Sequence, residues 1–343
     1  MKVRESPLNH VSPPASVTVT VPARLHFGFL DLNGGLGRRF GSMGLAISGP
    51  RTRLTIAPAA RTDVSGPERA RVQRHLKTMQ SLLDLPGAHR VTVDEALPAH
   101  VGLGSGTQLA LAVAAGVRRL HGLPLDMAGD AVRLGRGARS GVGIGLFERG
   151  GVVVDSGHGP NTLAAPIVSR LPFPEQWRVL VVLDPPRQGA HGPDETGAFA
   201  NLPPFPDATA AHLCRLVLMQ ALPALAEHDV VMFGAAIREM QRALGSYFAP
   251  VQGGQHLTSP NVSACLDMLD DIGAYGIGQS SWGPTGFAFA SSPEEADRLA
   301  RAARRHPSAE GLDIRVCTGL NRGADITARA ATKTPEQEQP AGR

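Results

Sequence analysis

The sequence has little of the apolar and cysteine content that marks membrane, secreted or metal-cluster proteins. It has no run of the roughly 18 apolar residues that a membrane-spanning helix needs, and residues 1–7, MKVRESP, lack the apolar core of a secretory signal. Three widely spaced cysteines, Cys214, Cys265 and Cys317, cannot all pair and form no metal-like motif. We therefore expect a cytoplasmic protein with reduced thiols and no membrane partner.

Aromatic residues and net charge are also scarce. The chain has 2 Trp and 2 Tyr among 343 residues, and its formal net charge is +4. Lys and Arg are not interleaved with aromatic side chains, as they are on surfaces that stack the bases of single-stranded nucleic acid. We expect no nucleic-acid partner, and the mild positive charge is compatible with an anionic small molecule.

A glycine-rich loop is the most informative segment of the chain. The loop, residues 102–106 (GLGSG), follows the alternating run Val91 to Asp94 and precedes the apolar helical stretch Gln108 to Leu120. Glycines allow successive backbone N–H groups to converge on an anion, and the first N–H groups of a helix lack internal partners. This order predicts a phosphate site with hydroxyls from Ser105 and Thr107. The alternative is a plain helix entry with Thr107 as its N-cap.

The length and the distribution of prolines predict two domains. We expect a disordered lead-in over residues 1–15, a first domain over 16–165 and a second over 175–330. The boundary is placed where prolines recur, between residues 161 and 177. Residues 331–343 are polar and contain proline, so they are predicted to form a flexible tail.

Positive charges cluster near two further glycine-rich segments. Arg24 and His26 share one face of the extended segment after the strand Val17 to Val21, and two arginines, Arg136 and Arg139, lie in the segment 136–145. Phosphate is a good partner for arginine because the guanidinium can donate two parallel hydrogen bonds. The alternatives are a solvated Arg24 and a buried core His26. The charges of the amphipathic helix Pro67 to Leu85 are interpreted as a solvated face.

The chain resembles the GHMP kinase superfamily. Residues 97–112 match its second motif, residues 21–28 lie where the first motif lies, and residues 276–289 lie where the third lies. The match is closer to one branch, the β-ribofuranosylaminobenzene 5′-phosphate synthase family. The segments that carry that closer match are Ala23 to Asp31, Arg139 to Gly151, His191 with Gly192 and Glu195, Gln252 to Gly254, and Gly278 to Thr285.

The resemblance implies an α+β, two-domain GHMP-kinase-like fold with the site between the domains. The N-terminal domain would be ribosomal-protein-S5-domain-2-like and the C-terminal domain ferredoxin-like. It also implies a decarboxylating pentosyltransferase of tetrahydromethanopterin biosynthesis. Phosphoribosyl pyrophosphate and 4-aminobenzoate or 4-hydroxybenzoate would give a ribosyl arene, pyrophosphate and carbon dioxide. A homodimer is the expectation for the assembly.

The resemblance and the residue chemistry together suggest roles for individual residues. The loop would hold pyrophosphate with Mg²⁺, Ser105 would supply a metal ligand, and no organic cofactor is expected. Asp31 or Glu148 would bind the metal or face the developing positive charge, although Glu148 is equally interpretable as an exposed turn carboxylate. The predicted phosphate-side residues are Arg24, His26, Gly102, Gly104, Ser105, Gly106, Thr107, Arg139 and Ser140. The predicted arene and ribose contacts are Gln279, Ser280, Ser281 and Trp282, with a core role as the alternative for Trp282.

One departure from the kinases affects the predicted chemistry. Many GHMP kinases have a Ser-Gly-x-Asp segment whose aspartate faces the phosphoryl acceptor, whereas the comparable residues here are Ser140, Gly141, Val142 and Gly143. A glycine cannot orient a hydroxyl or accept its proton. Two alternatives to the synthase remain, an ATP-dependent small-molecule kinase and a binding protein that keeps the fold as a sensor.

Overall fold

The computed structural model describes residues 14–185, 187–189, 197 and 202–330. The predicted lead-in, apart from residues 14 and 15, and the predicted tail lie outside these residues, as do His191 and Glu195. The described strands are β1 Ser16–Asp31, β2 Phe40–Ala59, β3 Asp63–Ser65, β4 Ala88–Glu95, β5 Val152–Asp155, β6 Ile167–Leu171, β7 Arg178–Leu183, β8 Tyr275–Gln279, β9 Gly286–Ala290, β10 Asp313–Cys317 and β11 Asp325–Arg329.

The described α-helices surround two sheets. They are α1 Arg69–Leu82, α2 Ser105–Leu120, α3 Met127–Arg133, α4 Val142–Arg149, α5 Asp207–Leu216, α6 Leu222–Glu227, α7 Val230–Phe248, α8 Pro260–Asp271 and α9 Pro293–Arg305. A π-helical turn, Val217–Ala221, joins α5 to α6. The helices predicted over residues 67–85 and 108–120 correspond to α1 and α2, whereas for the start of α4 the sequence indicated only a glycine-rich segment with two arginines. Buried Val142, Ile144 and Leu146 explain why α4 forms despite its glycines.

The first sheet contains seven strands. Its main path is β11-β1-β2-β4-β3, and β5 pairs with both β2 and β6. The final strand β11 pairs antiparallel with β1, with Val17 opposite Ala328. Residues 325–329 therefore lie in the first sheet, which differs from the predicted second domain of 175–330. The short strand β11 gave little apolar alternation by which to recognise it.

The second sheet has the strand order β10-β7-β9-β8, with antiparallel neighbours. In chain order, helices α5 to α8 separate β7 from β8, β9 follows β8 directly, and α9 leads to β10. This is the βαββαβ pattern of a ferredoxin-like unit with extra helices in its first crossover. The predicted α+β architecture is thus confirmed in both halves.

A break in the pairing of β1 with β2 determines which side chains of β1 reach the site. Val17, Val19 and Val21 pack with α1 and α2, whereas Ala23, Leu25 and Phe27 pack into the core shared with the second sheet. The pairing of β1 with β2 shifts register between residues 22 and 23. Because strand side chains alternate, such a shift exchanges the two faces. Arg24 is consequently on the side of the sheet where α2 begins.

One helical run among the described residues, 207–227, is long and apolar enough by length and composition to cross a membrane, with a mean hydropathy of 1.3. Its inner side chains, Leu213, Val217 and Ala221, are buried in the core shared by the two sheets. Leu218 and Met219 are exposed. The run therefore packs one apolar face inward, as a core helix of a globular protein does.

Candidate active site

The predicted glycine loop begins helix α2. Gly104 is the N-cap residue at φ +79°. Its carbonyl accepts a hydrogen bond from the Gln108 N–H, which begins the hydrogen-bonding pattern of the helix. Thr107 therefore lies in the first turn, and the alternative that made it the N-cap is wrong. The amides of the first turn have no carbonyl four residues earlier within the helix, so they are suited to an anion.

Close approach of other chain segments requires glycine at two loop positions. A Cβ at Gly102 would lie 2.2 Å from the Ser280 carbonyl oxygen, and one at Gly104 would lie 2.6 Å from Arg24 Cγ. Both glycines also have positive φ. The Arg24 N–H donates to the Leu103 carbonyl at 3.1 Å. The glycines thus allow β1 and the β8–β9 turn to contact the start of α2 directly.

An arginine-lined cleft of about 470 Å³ opens over the loop. We call this cleft the arginine cleft. Arg71 and Arg136 lie above Gly106, since a Cβ there would be 3.1 Å from Arg71 Nη2 and 3.0 Å from Arg136 Nη1. The residues that line the arginine cleft are Arg24, Arg71, Arg74, His100, Gly102, Gly104, Ser105, Gly106, Thr107, Arg136, Ser281, Trp282 and Gly283.

The arginine cleft concentrates positive charge with little compensation. Among the described residues that line it there is no Asp or Glu, although Glu68 pairs with Arg71 at 3.0 Å. Burial, together with Arg71 and Arg74, lowers the pKa of Arg136. Burial and the neighbouring arginines likewise lower the pKa of His75, which lies on α1 beside the cleft, to about 4. Such a cluster beside a helix N-terminus is suited to a polyanion.

A second, smaller cavity of about 40 Å³ lies beside the arginine cleft. We call it the aromatic cavity. Trp282 and Phe248 meet edge to face within it, with ring centroids 5.0 Å apart. No Lys, Arg, Asp or Glu is found among the described residues that line it. These residues are His26, Phe27, Gly28, Phe29, Gln241, Leu244, Gly245, Phe248, Gln252, His256, Gln279, Ser281 and Trp282.

The β8–β9 turn joins the two spaces. The Ser280 hydroxyl accepts from the His26 N–H at 3.0 Å and donates to the Gly102 carbonyl at 2.8 Å. The Ser281 N–H donates to the His26 carbonyl at 3.1 Å. The turn is therefore hydrogen-bonded to β1 on one side and to the glycine loop on the other. Ser281 and Trp282 line both the arginine cleft and the aromatic cavity.

Two of the predicted arene and ribose contacts have structural roles. Gln279 Oε1 accepts from the Thr258 N–H at 2.6 Å, and Gln279 Nε2 donates to the Ser281 carbonyl at 2.9 Å. Ser280 is fully buried. Gln279 therefore lines the aromatic cavity while fixing the turn, and Ser280 holds the turn in place. Ser281 and Trp282 are the members of the predicted set that reach both spaces.

The three predicted cations separate in the structure. Arg24 lines the arginine cleft, but His26 lines the aromatic cavity instead. Burial and the charge of Arg24 lower the pKa of His26 to about 3, which gives no support to the predicted cationic role of His26. Arg139 is not among the residues that line the arginine cleft, whereas Arg136, three residues earlier, is.

Sequence reasoning missed Arg71 and Arg74. Both lie on α1, whose charges were predicted to form a solvated face, and both line the arginine cleft. Their spacing of three residues places them on one side of the helix, which was the available signal. What the spacing could not indicate is that α1 packs against α2 with that side facing the glycine loop.

The predicted carboxylates do not join the other site residues. Asp31 Oδ1 accepts from the N–H groups of Asn33 and Gly34 at 2.7 and 2.9 Å, which closes the turn after β1. Glu148 is exposed near the end of α4. Neither residue lines the arginine cleft or the aromatic cavity. Their placement gives no support to the predicted roles at the reaction centre.

Ser140 takes part in a buried network rather than in the arginine cleft. Its hydroxyl donates to Asp155 Oδ2 at 3.2 Å and lies 2.6 Å from the Ser42 hydroxyl. Asp155 is fully buried and also accepts from the Gly141 N–H at 2.9 Å. Burial raises the pKa of this carboxyl. The network fixes the start of α4 against the first sheet, and sequence reasoning did not single out Asp155.

Comparisons with known proteins agree with this geometry. Residues 70–147 match the model of the GHMP kinases N-terminal domain, and residues 221–309 match that of the GHMP kinases C-terminal domain. The β-ribofuranosylphenol 5′-phosphate synthase of Archaeoglobus fulgidus is 34% identical over 320 residues, covering 89% of this chain and 97% of the relative. The chain belongs to this synthase family. It is accordingly an enzyme of the pentosyltransferase class.

Further relatives support the same membership and fold. The β-ribofuranosylphenol 5′-phosphate synthase of Methanothermobacter thermautotrophicus is 30% identical, covering 89% of this chain and 97% of the relative. A homoserine kinase from Cytophaga hutchinsonii has a TM-score of 0.67 and 17% identity, and the match covers 94% of this chain and all of that one. Mevalonate-3-kinase from Thermoplasma acidophilum has a TM-score of 0.62 and 15% identity, with 92% and 99% covered. The synthase family thus shares its fold with small-molecule kinases.

Proposed function

We propose that this synthase-family member transfers the phosphoribosyl group of phosphoribosyl pyrophosphate to the carboxyl-bearing ring carbon of a para-substituted benzoate. Pyrophosphate and carbon dioxide are the other products. The names of the relatives specify a phenol, which favours 4-hydroxybenzoate over 4-aminobenzoate as the acceptor. We also propose that this reaction is an early step of tetrahydromethanopterin biosynthesis and takes place in the cytoplasm.

The observation that carries the proposal is the wall shared by the arginine cleft and the aromatic cavity. A strongly cationic space suits a diphosphate, and a neutral aromatic space suits an aromatic ring. Ser281 and Trp282 border both. A sugar carbon held at this wall would have its leaving group on one side and the attacking ring carbon on the other.

The chemistry requires electrostatics and positioning but no protein nucleophile. The C1′–O bond to pyrophosphate breaks and its electron pair leaves with the pyrophosphate, so positive charge develops on the ribose. The ring carbon that bears the carboxylate forms the new C–C bond from the opposite face. The bond to the carboxylate then breaks, and its electron pair restores the aromatic ring. In this scheme Arg24, Arg71 and Arg136 stabilise the departing pyrophosphate, and the aromatic cavity orients the acceptor away from water.

Magnesium fits the arginine cleft only as a companion of the diphosphate. Ser105 and Thr107 offer hydroxyl oxygens, but the described lining residues provide no carboxylate. Mg²⁺ often binds mainly through phosphate oxygens and waters. We propose that the Ser105 hydroxyl completes such a site, and when bound the ion would add to the neutralisation of the leaving group. No organic cofactor is required, and a homodimer remains our expectation for the assembly.

The aromatic cavity must enlarge to admit the acceptor. Its volume of about 40 Å³ is well below the roughly 150 Å³ of an apolar protein cavity that binds benzene. The turn that includes Gln252 and His256 borders the cavity, and Gly253 and Gly254 in it have positive φ with open space around them. We propose that this turn moves outward when the acceptor enters.

The decisive experiment supplies phosphoribosyl pyrophosphate, Mg²⁺ and carboxyl-labelled 4-hydroxybenzoate to the purified protein. The expected result is release of labelled carbon dioxide in equal amount to pyrophosphate. Folded protein that releases neither product would refute the proposal. Parallel assays with carboxyl-labelled 4-aminobenzoate determine which acceptor is preferred.

Parallel assays of ATP-dependent phosphate transfer and of ligand binding test two competing functions. A kinase would transfer phosphate from ATP and ignore the ribosyl donor, and a sensor would bind ligands without turnover. The structure disfavours an aspartate at the position where many GHMP kinases have one. A Cβ at Gly143 would lie 2.9 Å from Thr107 Cγ2 and 3.7 Å from Arg24 Nε, which leaves little room for a longer side chain.

A further inference from the structure

His26 is held rigidly at the boundary between the two spaces. Its backbone N–H donates to the Ser280 hydroxyl, and its carbonyl accepts from the Ser281 N–H. Its ring packs edge-on against Phe29, with centroids 5.0 Å apart. Arg24, two residues earlier on the same strand, lines the arginine cleft, whereas His26 lines the aromatic cavity. The backbone contacts therefore leave the imidazole little freedom to move away.

The imidazole of His26 has unused hydrogen-bonding capacity. Its side chain is 2% exposed, and Nδ1 is buried with no hydrogen-bond partner in the part of the chain that the structure describes. Buried polar atoms in folded proteins nearly always have a partner, because an unsatisfied one costs free energy. The three glutamines that border the aromatic cavity, Gln241, Gln252 and Gln279, differ in this respect, since all make hydrogen bonds within the protein.

We propose that His26 positions the aromatic acid by donating a hydrogen bond from Nδ1–H to the carboxylate that is later lost. This inference rests on the proposed function. The reacting ring carbon carries the carboxylate and must face the ribose, so the carboxylate lies on the side of the aromatic cavity nearest the arginine cleft. His26 lies two residues from Arg24 on the same strand, borders the aromatic cavity, and has a buried nitrogen with no hydrogen-bond partner among the described residues.

A neutral donor suits a carboxylate that must depart. A cation in contact with the carboxylate would stabilise it and oppose loss of carbon dioxide, whereas a neutral N–H fixes its position at a smaller cost. Burial, with the charge of Arg24, keeps the pKa of His26 at about 3, so the ring is neutral near pH 7. The absence of Lys and Arg among the described residues around the aromatic cavity fits the same requirement.

The test compares His26→Asn with His26→Gln and His26→Leu. The Asn amide nitrogen can take the place of Nδ1, the Gln amide nitrogen reaches the place of Nε2, and Leu provides neither. Loss of one hydrogen bond to a charged group corresponds to about a tenfold effect or more. We expect His26→Leu and His26→Gln to raise KM for 4-hydroxybenzoate at least tenfold and to leave KM for phosphoribosyl pyrophosphate within twofold. His26→Asn should stay within threefold of wild type for both substrates.

A matched control and a truncated ligand separate positioning from folding. His75 is also buried, and its Nε2 has no hydrogen-bond partner among the described residues. Because His75 does not line the aromatic cavity, His75→Asn should leave KM for the acceptor unchanged. As competitive inhibitors, benzoate should bind wild type more tightly than phenol does, and His26→Leu should remove that difference. If His26→Leu does not fold, the same inhibitor comparison between His26→Asn and His26→Gln decides the question.

The outcomes distinguish this inference from the proposed function. If wild type releases no carbon dioxide, the proposed function fails. If wild type releases it and the His26 variants keep the acceptor KM and the preference for benzoate, only the role of His26 is refuted. Equal increases in both KM values would also refute it, because they would indicate a general distortion of the site.

Discussion

The arginine cleft and the aromatic cavity share one wall but have opposite electrostatic character. Arg24, Arg71, Arg74 and Arg136 line the first, whereas the described lining of the second has no Lys, Arg, Asp or Glu. An anionic leaving group and an anionic acceptor would compete for cations if both were in one space. Under the proposed function, the separation assigns the cations to the group that must leave with negative charge. The aromatic acid would then lie where no Lys or Arg among the described lining residues stabilises its charge.

The largest expected effect comes from removing a cation of the arginine cleft. In Arg136→Ala we expect kcat/KM for phosphoribosyl pyrophosphate to fall at least about a hundredfold, as expected when one partner of a buried charge interaction is removed. KM for the acceptor should change less than threefold. Steady-state kinetics with each substrate varied in turn provide the measurement.

The melting temperature of Arg136→Ala tests whether the arginine cluster lowers the stability of the ligand-free protein. Arg136 Nε is buried and has no hydrogen-bond partner among the described residues. The ligand-free Arg136→Ala protein should therefore melt at the same temperature as wild type or at a higher one. Pyrophosphate should raise the melting temperature of wild type more than that of the variant. A ligand-free variant that melts well below wild type would show that Arg136 serves the fold rather than the ligand.

The next effect concerns the shared wall. Trp282→Leu should raise KM for both substrates about tenfold, because the indole borders both spaces and large aromatic contacts contribute strongly to binding. Phe248→Leu is the matched comparison, since Phe248 lines the aromatic cavity but not the arginine cleft. This variant should raise KM for the acceptor and leave KM for the donor unchanged. Identical behaviour of the two variants would contradict the shared wall.

A smaller effect is expected at Gly143. In Gly143→Ala the added methyl group would press on Thr107 beside Arg24, and we expect kcat/KM for the donor to fall about fivefold. Gly143→Asp should lower it further and should not create ATP-dependent phosphate transfer. Transfer from ATP by Gly143→Asp would show that the site needs only this carboxylate to act as a kinase.

The smallest expected effect is a pH dependence of stability at the edge of the arginine cleft. His75 has a pKa of about 4 in the folded protein, below its usual 6.5, since burial and then Arg136, Arg71 and Arg74 oppose its charge. The unfolded chain therefore binds a proton that the folded chain does not, and stability falls as the pH drops from 6.5 toward 4. The slope is at most about 1.4 kcal/mol per pH unit for this group.

His75→Gln should flatten that slope. Urea unfolding at pH 7.0 and at pH 5.0 measures it, and wild type should lose more stability than His75→Gln between the two values. Equal losses would place the acid sensitivity elsewhere, for instance at His26, whose pKa is lowered to about 3. The double variant His26→Asn, His75→Gln separates the two contributions.

The sequence predicted the parts of the site that depend on local order along the chain. The glycine loop before α2, the position of Arg24 after an alternating run and the glycine-rich turn around Trp282 are all local patterns. Arg71 and Arg74 depend on the packing of α1 against α2, which pairs segments about 35 residues apart in the chain. Local periodicity shows which residues share a face of a helix but not which neighbour that face meets.

His26 shows a second limit of sequence reasoning. Its residue type and its spacing from Arg24 suggested a second cation, yet burial and the charge of Arg24 lower its pKa to about 3. The choice of Arg139 over Arg136 has a related cause, because both lie in one glycine-dense segment and its path determines which guanidinium reaches the loop. The charge state of His26 and the position of the Arg136 guanidinium both depend on the completed fold.

The pairing of β11 with β1 has a consequence for how the protein is made. Residues 325–329 supply the edge partner of the strand that carries Arg24 and His26. During synthesis on the ribosome, β1 emerges roughly 300 residues before this partner. Until β11 has emerged, the edge of β1 has open backbone groups that could pair with another nascent chain. The first sheet is therefore completed only after all four strands of the second sheet have been synthesised.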